Sequence, residues 1–197
     1  MKQSKPIDEL PKNAKFVLPP FAIVMKVGPH SGMSLNEIVE SKHKEEALYG
    51  VHYWGYSGNL CHPRRVLDFV SYVLSFKQGP PSLLLIETES NYSTSIGHIN
   101  CFSIDSKNYE KFDGPIQLQG AQYAFVARNL HRVDRDFQLD RYSVISGKND
   151  GKPLSFHLRQ RVNKAFVKRT PRAKTSHISH LAYMAQLSAP YVFWLKE

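Results

Sequence analysis

The sequence predicts an α+β fold, in which helices cover one face of a mixed β-sheet within a single compact domain. Three observations lead to this class. A chain of 197 residues, 42% of them hydrophobic, has the length and the apolar content for one core. The first half alternates apolar, β-branched runs with helical patterns. The second half reads as several short strands separated by Gly, Asn or Asp, and this combination favours α+β.

The first half begins with a polar, proline-containing segment at residues 1–15, which we interpret as a loose lead-in to a domain spanning residues 16–197. Residues 21–27 are apolar and predict a buried strand that stops at Gly28. Ser34 and Glu37 stand three residues apart and form the pattern of a capping box, so a helix is expected to follow to about residue 47.

A second strand, loop and helix follow directly. Residues 48–56 are suited to a pleated strand, and Pro63 stands where the first residue of a helix needs no N–H. Apolar residues then recur at spacings of three and four until Gly79 ends the helix, and residues 82–88 predict another buried strand.

The second half predicts short strands at residues 97–104, 116–118, 122–128 and 137–145. Leu154, Leu158, Val162 and Phe166 recur every four residues, which predicts a helix over residues 154–169. A helix over residues 176–187 and a closing strand at residues 191–195 complete the expected order.

The positive charge is concentrated in one segment. Residues 148–174 contain nine Lys and Arg against Asp150 alone, whereas the rest of the chain has 17 bases against 16 acids. On the predicted helix, Arg161, Lys164 and Lys168 fall on one side and the apolar stripe on another. A local basic tract is typical of proteins that bind polyanions, because each neutralised phosphate releases counterions. The candidate contacts in it are Lys152, Arg159, Arg161, Lys164, Lys168, Arg169, Arg172 and Lys174.

A second candidate site is the loop between His52 and Arg65. A strand is expected to run into a glycine-containing loop and then into a Pro-started helix, so that free N–H groups face the loop. Arg64 and Arg65 oppose the dipole of that helix unless an anion is bound. The aromatic residues could stack on bases or alternate into the core. The residues assigned to this site are Tyr53, Trp54, Tyr56, Gly58, Arg64 and Arg65.

The stretch Tyr53-Trp-Gly-Tyr-Ser-Gly-Asn-Leu60, followed by Arg64-Arg65-Val66, resembles the second half of the GIY-YIG nuclease signature over about a dozen residues. No Gly-Ile-Tyr strand precedes it. The resemblance implies metal-dependent phosphodiester cleavage, with Arg64 or Arg65 on the phosphate and Glu87 or Glu89 holding the metal.

Three function classes follow from these features. The leading prediction is a nucleic-acid-binding protein, with RNA or single-stranded DNA favoured because aromatic residues accompany the cations. The alternative is an enzyme acting on a nucleotide or nucleic acid, either a nuclease or an ADP-ribosyl transferase, with candidate catalytic residues His52, His62, Glu87 and Glu89, and His98 as a further histidine. A divalent metal is expected only for the nuclease. The third class is a subunit of a larger ribonucleoprotein complex.

The composition also indicates a setting. The longest apolar runs are far shorter than the ~18–20 residues of a membrane helix, so no membrane partner is expected. The first dozen residues lack an apolar run, and we expect no secretory signal. With only Cys61 and Cys101 the chain is not a disulfide scaffold, which favours a cytoplasmic location.

Overall fold

The structure is a computed structural model that describes residues 17–89, 99–113, 116, 118, 120–159, 162–171 and 177–196. The predicted lead-in at residues 1–15 lies outside these residues. In chain order the elements are β1 (Phe21–Val27), α1 (Leu35–Tyr49), β2 (His52–Tyr56), α2 (Pro63–Ser75), β3 (Ser82–Glu87), β4 (Cys101–Ser103), β5 (Glu110–Lys111), β6 (Tyr123–Gln138), β7 (Tyr142–Val144), α3 (Leu154–Arg159), β8 (Lys164–Arg169) and β9 (Ile178–Lys196).

The described strands form one mixed sheet, which confirms the predicted α+β class. Seven of them follow the order β2-β6-β9-β3-β1-β8-β7, while β4 pairs with β9 and β5 pairs with β4. Only β1 and β3 pair in parallel, because the chain between them crosses through α1, β2 and α2. The other pairs are antiparallel.

The two long helices lie on one face of this sheet. Alternate residues of β1, such as Ile23 and Met25, pack with Leu35 of α1 and Phe69 of α2. The intervening residues of β1 and β3 face the opposite side, where α3 contributes Leu154 and Leu158. Helices α1 and α2 therefore cover one face as predicted, and the short helix α3 packs against the other.

Both helices of the first half begin where local signals predict. Their ends differ: the helix expected to about residue 47 runs to Tyr49, β2 begins at His52 rather than at residue 48, and α2 ends at Ser75, before Gly79. The capping box is present, since the Ser34 hydroxyl accepts from the Glu37 N–H and the Glu37 carboxylate accepts from the Ser34 N–H. Helix α1 ends at Gly50, whose φ of 73° is the left-handed conformation that glycine adopts without strain. Helix α2 begins at Pro63 as expected.

Two helices predicted in the second half are wrong. The helix expected over residues 154–169 ends at Arg159, and Lys164–Arg169 is strand β8, paired with β1 and β7 on its two sides. Within the helix expected over residues 176–187, residues 178–187 are the first part of strand β9, which pairs with β3 and β6. In both segments, pairing with two neighbouring strands overrides the local helical pattern.

Three of the four short strands predicted in the second half are right in type and wrong in extent. Within the strand expected at residues 97–104, the described residues form β4 at Cys101–Ser103. The strand expected at residues 122–128 continues to Gln138. That expected at residues 137–145 is interrupted by a 3-10 turn at Leu139–Arg141, which leaves β7 with three residues. Residues 116 and 118 are not in a strand, whereas residues 191–195 do belong to β9.

Candidate functional site

The aromatic residues of the predicted loop site are buried. Tyr53 stacks on Phe193 with ring centroids 5.7 Å apart, and Tyr56 stacks on Phe125 at 4.2 Å. Trp54 is 4% exposed. Alternation along β2 sends Tyr53 to one face and Trp54 with Tyr56 to the other, and both faces are core. None of the three therefore offers an exposed stacking surface.

The loop after β2 uses its polar groups in its own structure. The Tyr56 hydroxyl donates to the Cys61 carbonyl at 2.7 Å, and the Gly58 N–H donates to the Gln122 side chain at 3.2 Å. Burial raises the pKa of the Cys61 thiol to about 12, against the opposing charges of Lys164 and Arg65. A thiol in that state is a poor nucleophile, so Cys61 is a packing residue.

Helix α2 begins with two exposed cations. Arg64 and Arg65 are both exposed in the first turn. The His62 Nδ1 accepts from the Arg64 N–H at 3.4 Å, which satisfies one of the free N–H groups at this helix end. The arrangement leaves both guanidinium groups accessible to an anion.

The four predicted catalytic residues are held in separate surroundings. His52 is fully buried, and its Nδ1 lies 3.0 Å from a Glu46 carboxylate oxygen. His62 contacts the rings of Tyr123 and Trp194. Glu87 lies 3.6 Å from His180, at the surface, and Glu89 is exposed.

None of these four residues lines the cavity between β1, α1 and β2, and His98 lies outside the described residues. Nor do His, Cys, Asp and Glu of the described ranges come together in a group of three that could hold a metal ion. Within the described ranges, the predicted nuclease chemistry therefore has no cluster of three metal ligands.

The nine-cation segment does not form a basic helix. Lys148, Lys152, Arg159, Lys168 and Arg169 are exposed. Lys164, in contrast, is only 2% exposed, and its ammonium donates to the Ser57 carbonyl at 3.1 Å and to Asn163 at 2.7 Å. Arg161, Arg172 and Lys174 lie outside the described residues.

The prediction that Lys164 and Lys168 present their charges from one side of a helix is wrong, because both lie in strand β8; Arg161 lies outside the described residues. In strand β8 successive side chains point to opposite faces, so Lys168 and Arg169 diverge. Lys164 shares its face with Phe166, which is core, and this accounts for its burial.

A different cationic surface results, which we call the basic edge. It lies around β7, the edge strand at one end of the sheet order. It consists of five exposed cations: Arg141, Lys148, Lys152, Arg159 and Arg169. Burial raises the pKa of the Tyr142 hydroxyl, and the positive charges of Arg169 and Arg141 oppose that rise. Both arginines therefore lie close to Tyr142. Lys148 and Lys152 follow the other end of β7, where the Val144 N–H donates to the Lys152 carbonyl at 2.9 Å.

An exposed aromatic ring stands within the basic edge. Phe156 of α3 is 43% exposed, and the Lys152 ammonium lies 4.7 Å from its ring centroid. The sequence gives no signal for Phe156, because on a long helix it falls outside the apolar stripe without any other distinguishing feature. Arg141 was equally hard to predict, since it precedes the basic segment in sequence and joins it only through the pairing of β7 with β8.

The buried Asp140 carboxylate connects the elements that carry the basic edge. Asp140 accepts from the Ser155 hydroxyl of α3, and its second oxygen accepts from the His177 backbone N–H at 3.2 Å. His177 Nδ1 lies 2.8 Å from the same oxygen, and Arg159 contacts the other side of that ring. Asp140 thereby ties α3 and the start of β9 to the turn that carries Arg141.

No family model, curated protein or solved structure matches the chain, so the similarity to the GIY-YIG signature has no support from a wider match. No helix of the described residues is long and apolar enough to cross a membrane.

Proposed function

We propose that this protein binds single-stranded nucleic acid, RNA or DNA, along the basic edge. The observation that carries the proposal is the exposed Phe156 ring beside Lys152, which is one of the five exposed cations of the basic edge. Proteins that hold unpaired strands combine a positive track for the phosphates with an aromatic ring on which a base stacks. Phe156 takes the role predicted for Tyr53, Trp54 and Tyr56, since those three rings are buried.

The charge balance of the basic edge favours a polyanion. Its five cations are accompanied in the same elements by two acids, Asp140 and Asp150. Asp140 is 7% exposed, and Asp150 accepts from the Ser146 N–H at 2.9 Å. Lys152 lies over the Phe156 ring, where a base stacked on the ring would place its phosphate near the ammonium.

Removing cations from the basic edge tests the phosphate contacts. In the triple variant Arg141→Gln, Lys148→Gln, Arg159→Gln, we expect the log–log dependence of affinity on salt to flatten by about 0.7 for each phosphate of the single strand that is no longer neutralised. Binding of labelled oligo-U, oligo-dT and a duplex is measured at several salt concentrations. The matched control is Lys44→Gln, Lys107→Gln, Lys111→Gln, which removes three exposed cations from α1 and from the β4–β5 region. Equal slopes for the two triple variants would contradict the proposal.

A substitution of Phe156 tests the stacking interaction separately. We expect Phe156→Ala to weaken binding of both single strands by about 1–3 kcal/mol and to leave the salt slope unchanged, because the substitution removes a ring and no charge. Phe156→Leu is the control for the smaller apolar surface. A duplex that binds as tightly as the single strands, or full affinity for Phe156→Ala, would overturn single-strand recognition.

The exposed pair at the start of α2 is tested in the same binding experiment. If the strand continues to that helix, Arg64→Ala with Arg65→Ala lowers the salt slope by roughly 1.4 for a long oligonucleotide and leaves a short one unaffected. The free energy of unfolding is expected to change by less than ~0.5 kcal/mol, since both side chains are exposed. An unchanged slope at every length would confine binding to the basic edge.

A further inference from the structure

A cavity of about 310 Å³ lies away from the basic edge, on the side of the sheet that α1 covers. It is bounded by the end of β1 and the loop that follows it, the first half of α1, the end of β2, and Leu118, Gly120 and Ala121. Most of its wall is apolar, with Met25, Val27, Ile38 and Trp54 among the lining side chains. This volume is at the lower end of the ~300–1,000 Å³ that small-molecule pockets have.

One charged side chain reaches this wall from α1. Lys42 lines the cavity and is 4% exposed. Its ammonium donates to the Glu45 carboxylate at 2.6 Å, and Glu45 accepts in turn from the Tyr53 N–H at 3.0 Å. Burial lowers the pKa of Lys42, and the adjacent Glu45 opposes that effect.

The Lys42 ammonium has more donors than partners. An ammonium group carries three N–H donors, and within the described residues only Glu45 accepts from Lys42. Placing an ion pair in an apolar wall is costly unless the remaining donors are satisfied. A ligand acceptor in the cavity would satisfy them.

The electrostatic surroundings favour an anion as that ligand. Behind the wall, the Lys164 ammonium is bonded to Ser57 and Asn163, both of which line the cavity. No carboxylate of the described residues lies within ion-pair distance of Lys164. The Lys42–Glu45 pair is neutral as a whole, so Lys164 leaves this end of the cavity positive.

From this arrangement we propose that the cavity binds a small organic carboxylate with an apolar body. The apolar wall accepts the body, and Lys42, shared between Glu45 and the ligand, binds the carboxylate by a charge-assisted hydrogen bond. A carboxylate fits better than a phosphate ester, because a dianion needs more donors than Lys42 supplies, and the other lysine that lines the cavity, Lys26, donates to the Leu158 carbonyl at 2.8 Å. The site is distinct from the proposed nucleic-acid surface, since neither Phe156 nor any cation of the basic edge lines the cavity.

The chain contains a built-in reporter for this site. Of its two tryptophans, Trp54 lines the cavity and Trp194, on β9, does not. An NMR spectrum of the ¹⁵N-labelled protein shows two indole N–H signals, which Trp54→Phe assigns. A ligand in the cavity shifts the Trp54 signal and leaves the Trp194 signal in place.

The probes are 3-phenylpropanoate, indole-3-acetate and octanoate, with 3-phenylpropanamide as the neutral analogue and 2-phenylethyl phosphate as the phosphate analogue. We expect at least one carboxylate to shift the Trp54 signal with a Kd below about 1 mM, and 3-phenylpropanamide to bind at least tenfold more weakly than 3-phenylpropanoate. No shift with any carboxylate at about 10 mM would overturn the proposal, as would equal affinity for acid and amide. Tighter binding of the phosphate would overturn the carboxylate assignment.

Two variants test the assigned residues. Lys42→Met with Glu45→Gln removes both charges and keeps an acceptor for the Tyr53 N–H, and it should lower carboxylate affinity at least tenfold. Ile38→Trp leaves every charge in place and fills the cavity, so it should abolish binding even if the first variant fails to fold. Lys44→Gln, exposed on the same helix, is the control that should bind as the parent does. Unchanged affinity in Ile38→Trp would place the ligand elsewhere and overturn the site.

Discussion

The two ends of strand β8 place cations in opposite environments. At its start, Lys164 is 2% exposed and bonded to two oxygen atoms of the cavity wall. At its end, Lys168 and Arg169 are exposed, and Arg169 belongs to the basic edge. The cavity side also holds Lys42, buried against Glu45.

The same positive charge has different effects at the two ends of β8. A buried cation must keep its partners, because an unpaired charge in an apolar interior is strongly destabilising. An exposed cation is hydrated with or without a partner, so it adds little to stability and remains available to a polyanion. Substitutions near the cavity should therefore change the free energy of unfolding, and substitutions at the basic edge should change binding.

The largest effect on stability is expected at Lys42. The single variant Lys42→Met leaves the Glu45 carboxylate buried without its partner and should lower the free energy of unfolding by about 3–5 kcal/mol. The double variant Lys42→Met with Glu45→Gln should recover more than half of that loss, because no buried charge is left unpaired. Urea unfolding of both measures this, with Lys44→Met as the exposed control. Additive losses in the double variant would mean that the pair does not act as a unit.

A smaller effect is expected at Lys164, where no carboxylate is left behind. Lys164→Met should cost about 1–3 kcal/mol, since the Ser57 carbonyl and the Asn163 side chain lose their donor. Lys168→Met, four residues along the same strand, should change stability by less than ~0.5 kcal/mol. Chemical unfolding of the two variants side by side compares the ends of β8 directly. Equal losses would show that burial does not distinguish them.

The smallest effect concerns an acid beside β2 and depends on pH. Burial alone would raise the pKa of Glu46, but hydrogen bonds from His52 and from the N–H groups of Asn129 and Leu130 lower it to about 2. The folded pKa lies below the usual 4.5, so the unfolded chain binds the proton more tightly. The contribution of Glu46 to stability is therefore present above pH 4.5 and is lost as the pH falls towards 2.

Glu46→Gln should cost about 1 kcal/mol at pH 7 and flatten the loss of stability between pH 5 and pH 3. Thermal unfolding across this range measures the effect. Substitutions at the basic edge are the control, because Lys and Arg do not titrate there. A Glu46→Gln curve parallel to that of the parent would show that another carboxylate controls the acid response.

Local sequence signals predicted the first half of the fold because the interactions that fix it are local. The capping box of Ser34 and Glu37, the proline at residue 63 and the apolar periodicity of α2 act within a few residues. The alternation that buries Tyr53 and Trp54 on opposite faces of β2 follows from the same short-range geometry.

The second half could not be predicted in this way, because its conformation depends on pairing between distant residues. Leu154, Leu158, Val162 and Phe166 have helical spacing, yet Phe166 lies in a strand that pairs with β1, more than 130 residues earlier in the chain. The run of Ala, Leu and Met in β9 likewise becomes a strand, since β3 and β6 supply partners on both sides.

Local patterns and composition were enough to predict the α+β class, the starts of the early helices and the basic character of residues 148–174. Which of those cations are exposed depends on how distant strands pair. The tertiary structure buried Lys164, exposed Phe156 beside Lys152, and brought Arg141 to Arg169 across the β7–β8 pair. The physical reason is that the number of charges is a property of composition, whereas hydration and the distances between charges depend on which distant strands pair.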